Sequence, residues 1–414
     1  MSVNEQYDLV IVGGGMVGSA LATALAEQPL RIALVEPQPP ASSVPAAGSP
    51  FEPRVSALTL ASVNLLKHLE VWPVLSKERH CGFSHMQVWD ADGTGHIEFD
   101  SATLGEPVMG YIVENSRLVR ALFERLAGQQ NLDLVTDSQV TQVTETNGMH
   151  SLTLADGRQL QASLVVAADG AHSRLRELAG IEHCQRDYRQ KAIVTTVRCQ
   201  QSHAFTAWQR FLSTGPLAFL PLQDDNGDDH YCSIVWSADN SLADELLALD
   251  DASFRTRLQH AFESRLGTIE EVDQRLAFPL YERHARAYFK PGMVLVGDAA
   301  HTIHPLAGQG VNLGFLDAAV LAEEIEHALK RGVALADESI LIRYQRRRRL
   351  DNTLMLSLMQ GFKSLFGANA LSIRWARNMG LSAFNADPVL KGIILKQAMG
   401  LSGLDLPQRV KKTT

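Results

Sequence analysis

Four glycines near the amino terminus have the spacing of a loop that binds a pyrophosphate, and these are Gly13, Gly14, Gly15 and Gly18. Glycine places no Cβ between the backbone and a phosphate oxygen, and it allows the chain to turn sharply. The apolar run Leu9–Val12 predicts a buried parallel strand, and the sequence from Met16 onward predicts a helix. The amino terminus of such a helix directs N–H groups and partial positive charge at phosphates. This stretch therefore predicts a dinucleotide site at a strand–turn–helix junction.

An acidic residue ends the next predicted strand, which runs from Arg31 to Glu36. In a dinucleotide-binding unit, an acid at this position accepts hydrogen bonds from the adenosine ribose. The charge of Glu36 would repel a 2′-phosphate, which favours FAD or NAD over NADP. A tight turn without a ligand is the alternative. The ordered succession of strand, glycines, helix, strand and acid favours the dinucleotide.

Two further predicted buried strands end in an acid beside a glycine. The pairs are Asp169 with Gly170 and Gly297 with Asp298. A carboxylate at the carboxyl end of a parallel strand faces the ligand crevice of an open α/β sheet. Asp169 has a structural alternative, because it could cap the helix that follows it.

A second glycine-rich loop lies between Asp298 and a helix predicted to run to about Lys330. Its candidate ligand-binding residues are Pro305, Gly308, Gln309, Gly310, Val311 and Asn312. The start of that helix again presents N–H groups at a positive helix end. Two histidines nearby, His301 and His304, have no carboxylate or cysteine cluster around them in the sequence, so we predict no metal site.

Arg54 follows a polar loop over residues 37–53 and is predicted to lead directly into a helix that continues through Leu66. This position lies near the expected cofactor. A solvated surface arginine is the alternative interpretation.

Short strands and turns between Cys184 and Pro279 predict an antiparallel sheet. Its aromatic residues are Trp208, Phe211, Phe219, Tyr231 and Trp236. These side chains form either a packing core or the wall of a pocket for an apolar ring. One sheet can do both on its opposite faces, so both interpretations stay open.

The charge of the chain is uneven. Its 414 residues carry a formal net charge of −8, which excludes a generally basic nucleic-acid binder. From Arg343 onward, however, 13 Lys and Arg residues face only 3 Asp and Glu residues. Around Arg346–Arg349 this basic stretch is either a packing helix with a solvated face or a peripheral surface for a membrane or a partner.

Two further features bear on localisation. No apolar run is long enough to span a bilayer, and the four cysteines show no metal-ligand spacing and suit reduced thiols. We therefore expect a cytoplasmic protein, with peripheral contact at the inner membrane as an open alternative.

Three motifs, in this order, resemble those of the single-component FAD-dependent aromatic hydroxylases, the p-hydroxybenzoate hydroxylase group. They are Gly13-x-Gly15-x-x-Gly18, Asp169-Gly170-x-x-Ser173-x-x-Arg176, and Gly297-Asp298-Ala299-Ala300-His301 followed by Pro305 and Gly308-Gln309-Gly310. The stretches 54–57, 113–116 and 298–314 resemble the ubiquinone-biosynthesis hydroxylase branch. Residues 86–90, 232–237 and 397–401 are most similar to bacterial members that hydroxylate C5 of a 2-polyprenylphenol.

The resemblance implies FAD as the cofactor and assigns roles to matching positions. The glycines Gly13, Gly14, Gly15 and Gly18 would cradle the pyrophosphate, and Glu36 would hold the ribose. Asp298 beside Gly297 would bind the ribityl chain, and Asp169 with Gly170 would serve both FAD and the nicotinamide donor. The remaining predicted cofactor contacts are Arg54, Asn115, Pro305, Gly308, Gln309, Gly310, Val311 and Asn312.

The family also implies the reaction. NAD(P)H reduces the flavin as a transient donor, O₂ forms a flavin C4a-hydroperoxide, and one oxygen atom passes to the ring of a polyprenylated phenol. No catalytic side chain can be named from the sequence. Three alternatives stay open. These are another FAD-dependent ring hydroxylase of the ubiquinone pathway, an FAD-dependent isoprenoid oxidoreductase, and a flavin-holding scaffold of a biosynthetic complex.

The expected architecture is α/β, with a Rossmann-like FAD-binding domain, a mainly antiparallel substrate domain and a C-terminal helical segment. The FAD-binding domain is discontinuous and comprises residues 1–75, 100–182 and 280–345. The substrate domain comprises residues 76–99 and 183–279. The helical segment comprises residues 346–414.

Overall fold

The computed structural model describes residues 4–41, 43–91, 95–302, 310–366, 387–401 and 406–411. Its strands are β1 (Asn4–Val12), β2 (Ile32–Glu36), β3 (Val55–Thr59), β4 (His80–Phe83), β5 (His85–Asp90), β6 (His96–Asp100), β7 (Gly110–Glu114), β8 (Leu132–Thr136), β9 (Val140–Thr146), β10 (Met149–Leu154), β11 (Gln159–Ala167), β12 (His183–Cys199), β13 (Thr206–Leu212), β14 (Gly215–Leu222), β15 (Tyr231–Asp239), β16 (Ile269–Val272), β17 (Leu276–Ala285), β18 (Phe289–Lys290), β19 (Met293–Leu295) and β20 (His301–Thr302). Its α-helices are α1 (Met16–Leu25), α2 (Leu60–His68), α3 (Trp72–Leu75), α4 (Asn115–Leu126), α5 (Arg174–Leu178), α6 (Asn240–Ala248), α7 (Asp251–Ala261), α8 (Gly310–Lys330), α9 (Glu338–Phe366) and α10 (Pro388–Ala398).

The first sheet is the parallel sheet that the glycine motif predicted. Its order is β18-β19-β11-β1-β2-β8, with the hairpin of β9 and β10 attached to β11. β1 pairs in parallel with both β2 and β11, and β11 pairs in parallel with β19. Leu9, Val10 and Ile11 have no exposed surface, because helices and strands cover both faces of β1. The carboxyl ends of β1, β2, β11 and β19 therefore meet at one edge.

The second sheet has nine strands in the order β20-β17-β12-β15-β14-β13-β5-β6, with β16 on β12. Its pairs are antiparallel except for β5 with β13, which confirms the mainly antiparallel sheet expected after Cys184. Helices α6 and α7 cover its outer face, where they share a hydrophobic core with the sheet. Its inner face meets the dinucleotide-binding part of the molecule.

A small third sheet, β3-β7-β4, joins these two parts. The prediction that the chain enters a helix at Arg54 is wrong, since residues 55–59 form β3 and pair with β7. The helix begins only at Leu60, where the hydroxyl of Thr59 caps it by accepting from the Ser62 N–H. Strand β4 also belongs to this small sheet rather than to the nine-stranded sheet with its neighbours β5 and β6.

The carboxyl-terminal part is helical where the structure describes it. Helix α9 packs along α8, and it begins at Glu338, eight residues before the helical segment that the sequence suggested. Leu395 of helix α10 and Met399, directly after the helix, lie in the core beneath the inner face of the nine-stranded sheet. Among the helices that the structure describes, none is both long enough and apolar enough to cross a bilayer.

Candidate active site

The glycine turn after β1 is shaped by close backbone approaches. Gly13 has a φ of +106°, and a Cβ there would lie 2.3 Å from the carbonyl oxygen of Ala168. A Cβ at Gly18 would lie 1.9 Å from the carbonyl oxygen of Gly13, so helix α1 starts directly against the turn. Around Gly15, by contrast, no atom of the described residues beyond its chain neighbours lies within 4 Å of such a Cβ. The turn thus packs tightly on one side and leaves space on the other, as a loop that receives a ligand requires.

Helix α1 begins without a side-chain cap. Gly15 occupies the N-cap position, and no side chain accepts a hydrogen bond from the first turn. The first N–H groups of a helix have no intrahelical partner, and they carry the positive end of the helix dipole. Their position beside the open space at Gly15 suits the phosphates of a dinucleotide.

Glu36 lies at the end of β2, beside the glycine turn, as the sequence predicted. Its Oε2 accepts a hydrogen bond from the N–H of Gly14 at 2.6 Å, and its Oε1 accepts from the N–H of Gln38 at 2.9 Å. Each carboxylate oxygen has a second lone pair, so the side chain is fixed in place and can still accept a ribose hydroxyl.

A cleft of about 430 Å³ lies over the carboxyl ends of these strands. Its lining residues are Val12, Gly13, Gly15, Val35, Glu36, Pro37, Gln139, Val140, Ala168, Asp169, Gly170, His172, Arg174 and Leu175. This size suits a nucleotide-sized group, and the cleft has the position that open α/β sheets give their ligands.

Asp169 lines this cleft and combines the two roles that the sequence left open. Its Oδ2 accepts a hydrogen bond from the N–H of Leu175 at 3.0 Å and so supports the start of α5. Its Oδ1 is buried and has no hydrogen-bond partner among the residues that the structure describes. A buried carboxylate oxygen without a partner is costly, so a ligand that donates to it would stabilise the site.

Arg176 connects the two acid-bearing turns, a role that sequence reasoning missed although the residue stood in the quoted motif. Its Nη1 donates to the carbonyl oxygen of Ala299 at 2.8 Å, and its Nη2 donates to that of Ala171 at 3.1 Å. Burial lowers the pKa of this guanidinium, while the charge of Asp169 raises it. Arg176 therefore fixes the distance between the Asp169 and Asp298 turns.

Asp298 lies in a 3-10 turn over Gly297–Ala299 and is exposed. The surrounding protein nevertheless raises the pKa of its carboxyl by desolvation, while the nearby His301 and Arg54 lower it. Arg54 is exposed, and its guanidinium carbon lies 5.4 Å from the ring centre of Phe278 on the inner face of the nine-stranded sheet. The two predicted residues Arg54 and Asp298 thus lie near each other.

Two asparagines predicted as cofactor contacts use their side chains within the protein. Asn115 accepts a hydrogen bond from the Ser56 hydroxyl at 2.7 Å. Asn312 is buried, and it accepts from the Ser62 hydroxyl at 2.6 Å and donates to the carbonyl oxygen of Ala57 at 2.8 Å. Any contact of Asn312 with a flavin would therefore use its backbone N–H group, near the start of α8.

Helix α8 starts at Gly310, with Val311 and Asn312 in its first turn, at the positive helix end that the sequence predicted. Among the described residues, a Cβ at Gly310 would meet no atom within 4 Å apart from its own chain neighbours and helix backbone. The predicted residues Pro305, Gly308 and Gln309, and also His304, lie outside the described residues.

The aromatic side chains of the nine-stranded sheet divide between its two faces. Trp208, Phe219 and Trp236 pack on the outer face, where Phe219 stacks on Phe262 with a centroid distance of 3.7 Å. Phe211 and Tyr231 lie on the inner face, toward β3 and α10. The inner face is therefore the one that can border a substrate.

The run Arg346–Arg349 is not a single exposed basic patch. Arg348 is buried and pairs with Asp317, and Arg347 pairs with Glu323 at 2.8 Å. Only Arg346 and Arg349 of the run are exposed. Arg347 and Arg348 thus stabilise the packing between helices, whereas Arg346 and Arg349 are available to solvent or to the surface of a membrane or partner.

The known proteins that this chain resembles agree with the geometry. A family model described as an FAD binding domain matches residues 6–357. The 3-demethoxyubiquinol 3-hydroxylase of Escherichia coli is 39% identical over 398 residues, which cover 96% of this chain and 100% of that protein. The human mitochondrial ubiquinone biosynthesis monooxygenase COQ6 is 32% identical over 441 residues, which cover 95% of this chain and 92% of COQ6.

A solved structure shows the same fold. The p-nitrophenol 4-monooxygenase PnpA of Pseudomonas putida matches with a TM-score of 0.76 at 21% identity, covering 97% of this chain and 100% of PnpA. The chain therefore belongs to the FAD-binding-domain family, in its branch of ubiquinone-biosynthesis hydroxylases, and is an FAD-dependent monooxygenase.

Proposed function

We propose that this enzyme hydroxylates the aromatic ring of a polyprenylated phenol in ubiquinone biosynthesis, at ring carbon C5. The observation that carries the proposal is the apolar lining of a small pocket beneath the inner face of the nine-stranded sheet. Its lining residues are Ala57, Leu58, Thr59, Phe83, Met86, Met109, Ala207, Leu220, Ala398 and Met399. The pocket has a volume of about 20 Å³, so its side chains must repack to admit a ring. The described residues that line it are all uncharged, which suits an uncharged ring with an apolar tail better than a carboxylated ring.

Methionine gives this pocket room to adapt. Met86, Met109 and Met399 line it from three separate parts of the chain, and unbranched thioether side chains repack easily around a flexible chain. Ala57 of the pocket lies on β3, three residues after Arg54, so the pocket is continuous with the part of the molecule that carries the cofactor residues.

The proposed FAD contacts begin in the cleft and continue beyond its lining residues to Asp298 and the start of α8. Glu36 would hold the ribose, the glycine turn and the start of α1 would hold the pyrophosphate, and Asp298 would hold the ribityl chain. The backbone N–H groups at the start of α8 stabilise negative charge on the isoalloxazine. When bound, FAD takes up electrons and activates O₂ for transfer of one oxygen atom to the ring. The protein orients the ring, and its apolar inner face excludes water.

The sequence holds one dinucleotide fingerprint, which FAD would occupy. We therefore propose that NAD(P)H binds only transiently as the electron donor. Asp169 and Gly170 at the edge of the cleft are the proposed contact shared by the two molecules.

A different ring position is a specific second candidate. The 39% identical relative from Escherichia coli is named a 3-demethoxyubiquinol 3-hydroxylase, whereas residues 86–90, 232–237 and 397–401 resemble the C5 hydroxylases. Both candidates place a prenylated ring in the same pocket, so the product decides between them.

We further propose peripheral contact with the inner membrane through α10, where the apolar substrate would be available, or with a ubiquinone-biosynthesis complex. Val389 and Ile393 of this helix are 70% and 58% exposed, and Lys396 is exposed beside them. Exposed apolar residues with a flanking lysine suit an anionic bilayer surface. The opposite side of α10 reaches the apolar pocket through Ala398.

The decisive experiment is anaerobic reduction of the bound flavin by NAD(P)H, followed in the visible spectrum with and without a 2-polyprenylphenol. We expect the phenol to accelerate reduction. After the admission of air, mass spectrometry should show a phenol that has gained one oxygen atom, and NMR of the product should place that atom at C5. Parallel runs with a 3-demethoxyubiquinol test the second candidate. Consumption of NAD(P)H that yields a reduced or epoxidised prenyl tail would indicate an isoprenoid oxidoreductase. Bound flavin that NAD(P)H does not reduce, with or without the phenol, would indicate a scaffold.

A further inference from the structure

Asp317 is a fully buried acid in the middle of α8, and it accepts hydrogen bonds from two other parts of the chain, residues 297–301 and helix α9. Its Oδ2 lies 2.5 Å from His301 Nε2 and 2.9 Å from the N–H of Gly297. Its Oδ1 accepts from Arg348 Nε at 2.7 Å. Since a carboxylate only accepts, His301 is the donor in its contact. One side chain thus ties α9 to the turn that carries Asp298.

Arg348 completes this network from α9. Its side chain is 2% exposed, and its Nη2 donates to Asn352 Oδ1 at 2.8 Å. A buried ion pair costs desolvation energy, and apolar side chains of similar size would hold two helices together at least as well. Simple packing between α8 and α9 therefore does not account for this pair.

The two groups bound by Oδ2 lie on either side of Asp298 in the chain. Gly297 immediately precedes Asp298 and has a φ of +58°, in the left-handed region, and His301 follows three residues later. The 3-10 turn between them has no side-chain cap of its own. The Asp317 carboxylate is therefore a fixed point from which the direction of the Asp298 side chain is set.

We propose that Asp317, oriented by Arg348, is a positioning residue that holds the Asp298 turn in the conformation that binds FAD. Helix α9 would then control flavin affinity without touching the flavin. This inference rests on the proposed placement of the ribityl chain beside Asp298.

The chain provides a matched control for ordinary packing. Arg347, next to Arg348, also joins α9 to α8, through Glu323 at 2.8 Å and Glu324 at 2.9 Å. These pairs have the same chemistry and join the same two helices, but they make no hydrogen bond to residues 297–301 in the described structure. Loss of packing alone would affect Arg347 and Arg348 variants in the same way.

The test titrates FAD into the purified full-length apoproteins of Arg348→Met, Asp317→Asn and Arg347→Met, with flavin fluorescence as the signal and urea unfolding measured in parallel. We expect Arg348→Met and Asp317→Asn to raise the Kd for FAD about tenfold or more, and to shift the reduction potential of the bound flavin. Arg347→Met should leave both values as in the wild type. Arg348→Lys keeps the charge but loses the forked geometry, so its Kd for FAD should lie between those of wild type and Arg348→Met. This variant also serves as the test if Arg348→Met does not fold.

Two results would overturn the proposal. If Arg347→Met and Arg348→Met have equal Kd values for FAD, the network serves only helix packing. The same conclusion follows if Asp317→Asn is less stable than wild type but binds FAD with wild-type affinity. Asp298→Ala separates this inference from the proposed site. If that variant keeps wild-type affinity, the placement of the ribityl chain is wrong. If it loses affinity while the Arg348 variants do not, only the positioning role is wrong.

Discussion

The residue that tests the cofactor cleft most directly is Gly15. Its φ of −66° and ψ of −173° are accessible to any residue, and a Cβ there meets no atom of the described residues beyond its chain neighbours within 4 Å. The change Gly15→Val should therefore fold normally but fill the space of the pyrophosphate, and we expect FAD affinity to fall about a hundredfold or more. The measurement is flavin content after purification, together with the Kd. Gly392→Val is the matched control, since Gly392 also has open space around it and lies far along the chain in α10. Full flavin content in the Gly15 variant would refute the fingerprint.

At Asp317 the hydrogen bonds predict a pH effect on stability. Burial raises the pKa of this carboxyl, but His301 and Arg348 outweigh burial and lower it from 3.8 to about 2. A lowered pKa contributes stability that is complete above the unfolded-state value and is lost as pH falls from about 4 to about 2. The free energy of unfolding of wild type should thus exceed that of Asp317→Asn by about 2 kcal/mol less at pH 2 than at pH 4. Urea unfolding at stepped pH measures it. Asp351→Asn removes the charge of an exposed partner of Arg348 and should change the free energy of unfolding by less than about 1 kcal/mol. If the difference in stability between wild type and Asp317→Asn stayed constant over this pH range, the assignment of the Asp317 hydrogen bonds would be wrong.

Among the elements, those defined by local chemistry could be predicted and those defined by distant pairing could not. Strand β1, helix α1 and strand β2 follow from an apolar run, a glycine turn and a terminal acid, and all three occur where expected. Strand β3 was missed, because the residues after Arg54 have a helix-compatible pattern and form a strand only by pairing with β7, more than fifty residues later.

The partners of the charged residues on helix α9 could not be predicted from the sequence either. The sequence places four arginines at Arg346–Arg349, but the acids that bind Arg347 and Arg348 lie on α8, more than twenty residues earlier. The sequence therefore left open whether the run belongs to a packing helix or to a basic surface, and the folded chain uses half of the run inside the molecule. The hydrogen bonds of Asn115 and Asn312 escaped prediction for the same reason.

Helix α10 carries the prediction for membrane contact. Replacing its exposed Val389 and Ile393 by serine should weaken binding to anionic vesicles about tenfold or more, because apolar area is lost from the bilayer contact. Co-sedimentation with vesicles of mixed neutral and anionic lipid measures the effect. Leu134→Ser is the control, since Leu134 is also an exposed apolar residue, at 40%, but lies on strand β8. Vesicle binding that is unchanged, or equally reduced by the control, would rule out α10 as the contact.

In the molecule as a whole, one face of the nine-stranded sheet contributes to stability, and the other face borders the proposed substrate pocket. Its outer face is sealed by α6 and α7, and its inner face borders β3, α10 and the cofactor residues. The sequence showed which residues are aromatic but could not assign them to faces, since the strand registers that decide this come from pairing along the sheet. The antiparallel register of β12, β14 and β15 places Phe219 and Trp236 outside and Phe211 and Tyr231 inside.

Two neighbours on β14 turn this division into a prediction, because Phe219 faces outward and Leu220 faces the apolar pocket. Both are buried, so alanine at either position should cost roughly 2–5 kcal/mol of stability. Only Leu220→Ala reshapes the pocket, so it alone should change the KM for a 2-polyprenylphenol and the fraction of NAD(P)H consumption that yields hydroxylated product. Thermal unfolding and product yield, measured at a temperature where both variants are folded, separate the two effects. Equal changes in KM for both variants would mean that the substrate does not lie against the inner face.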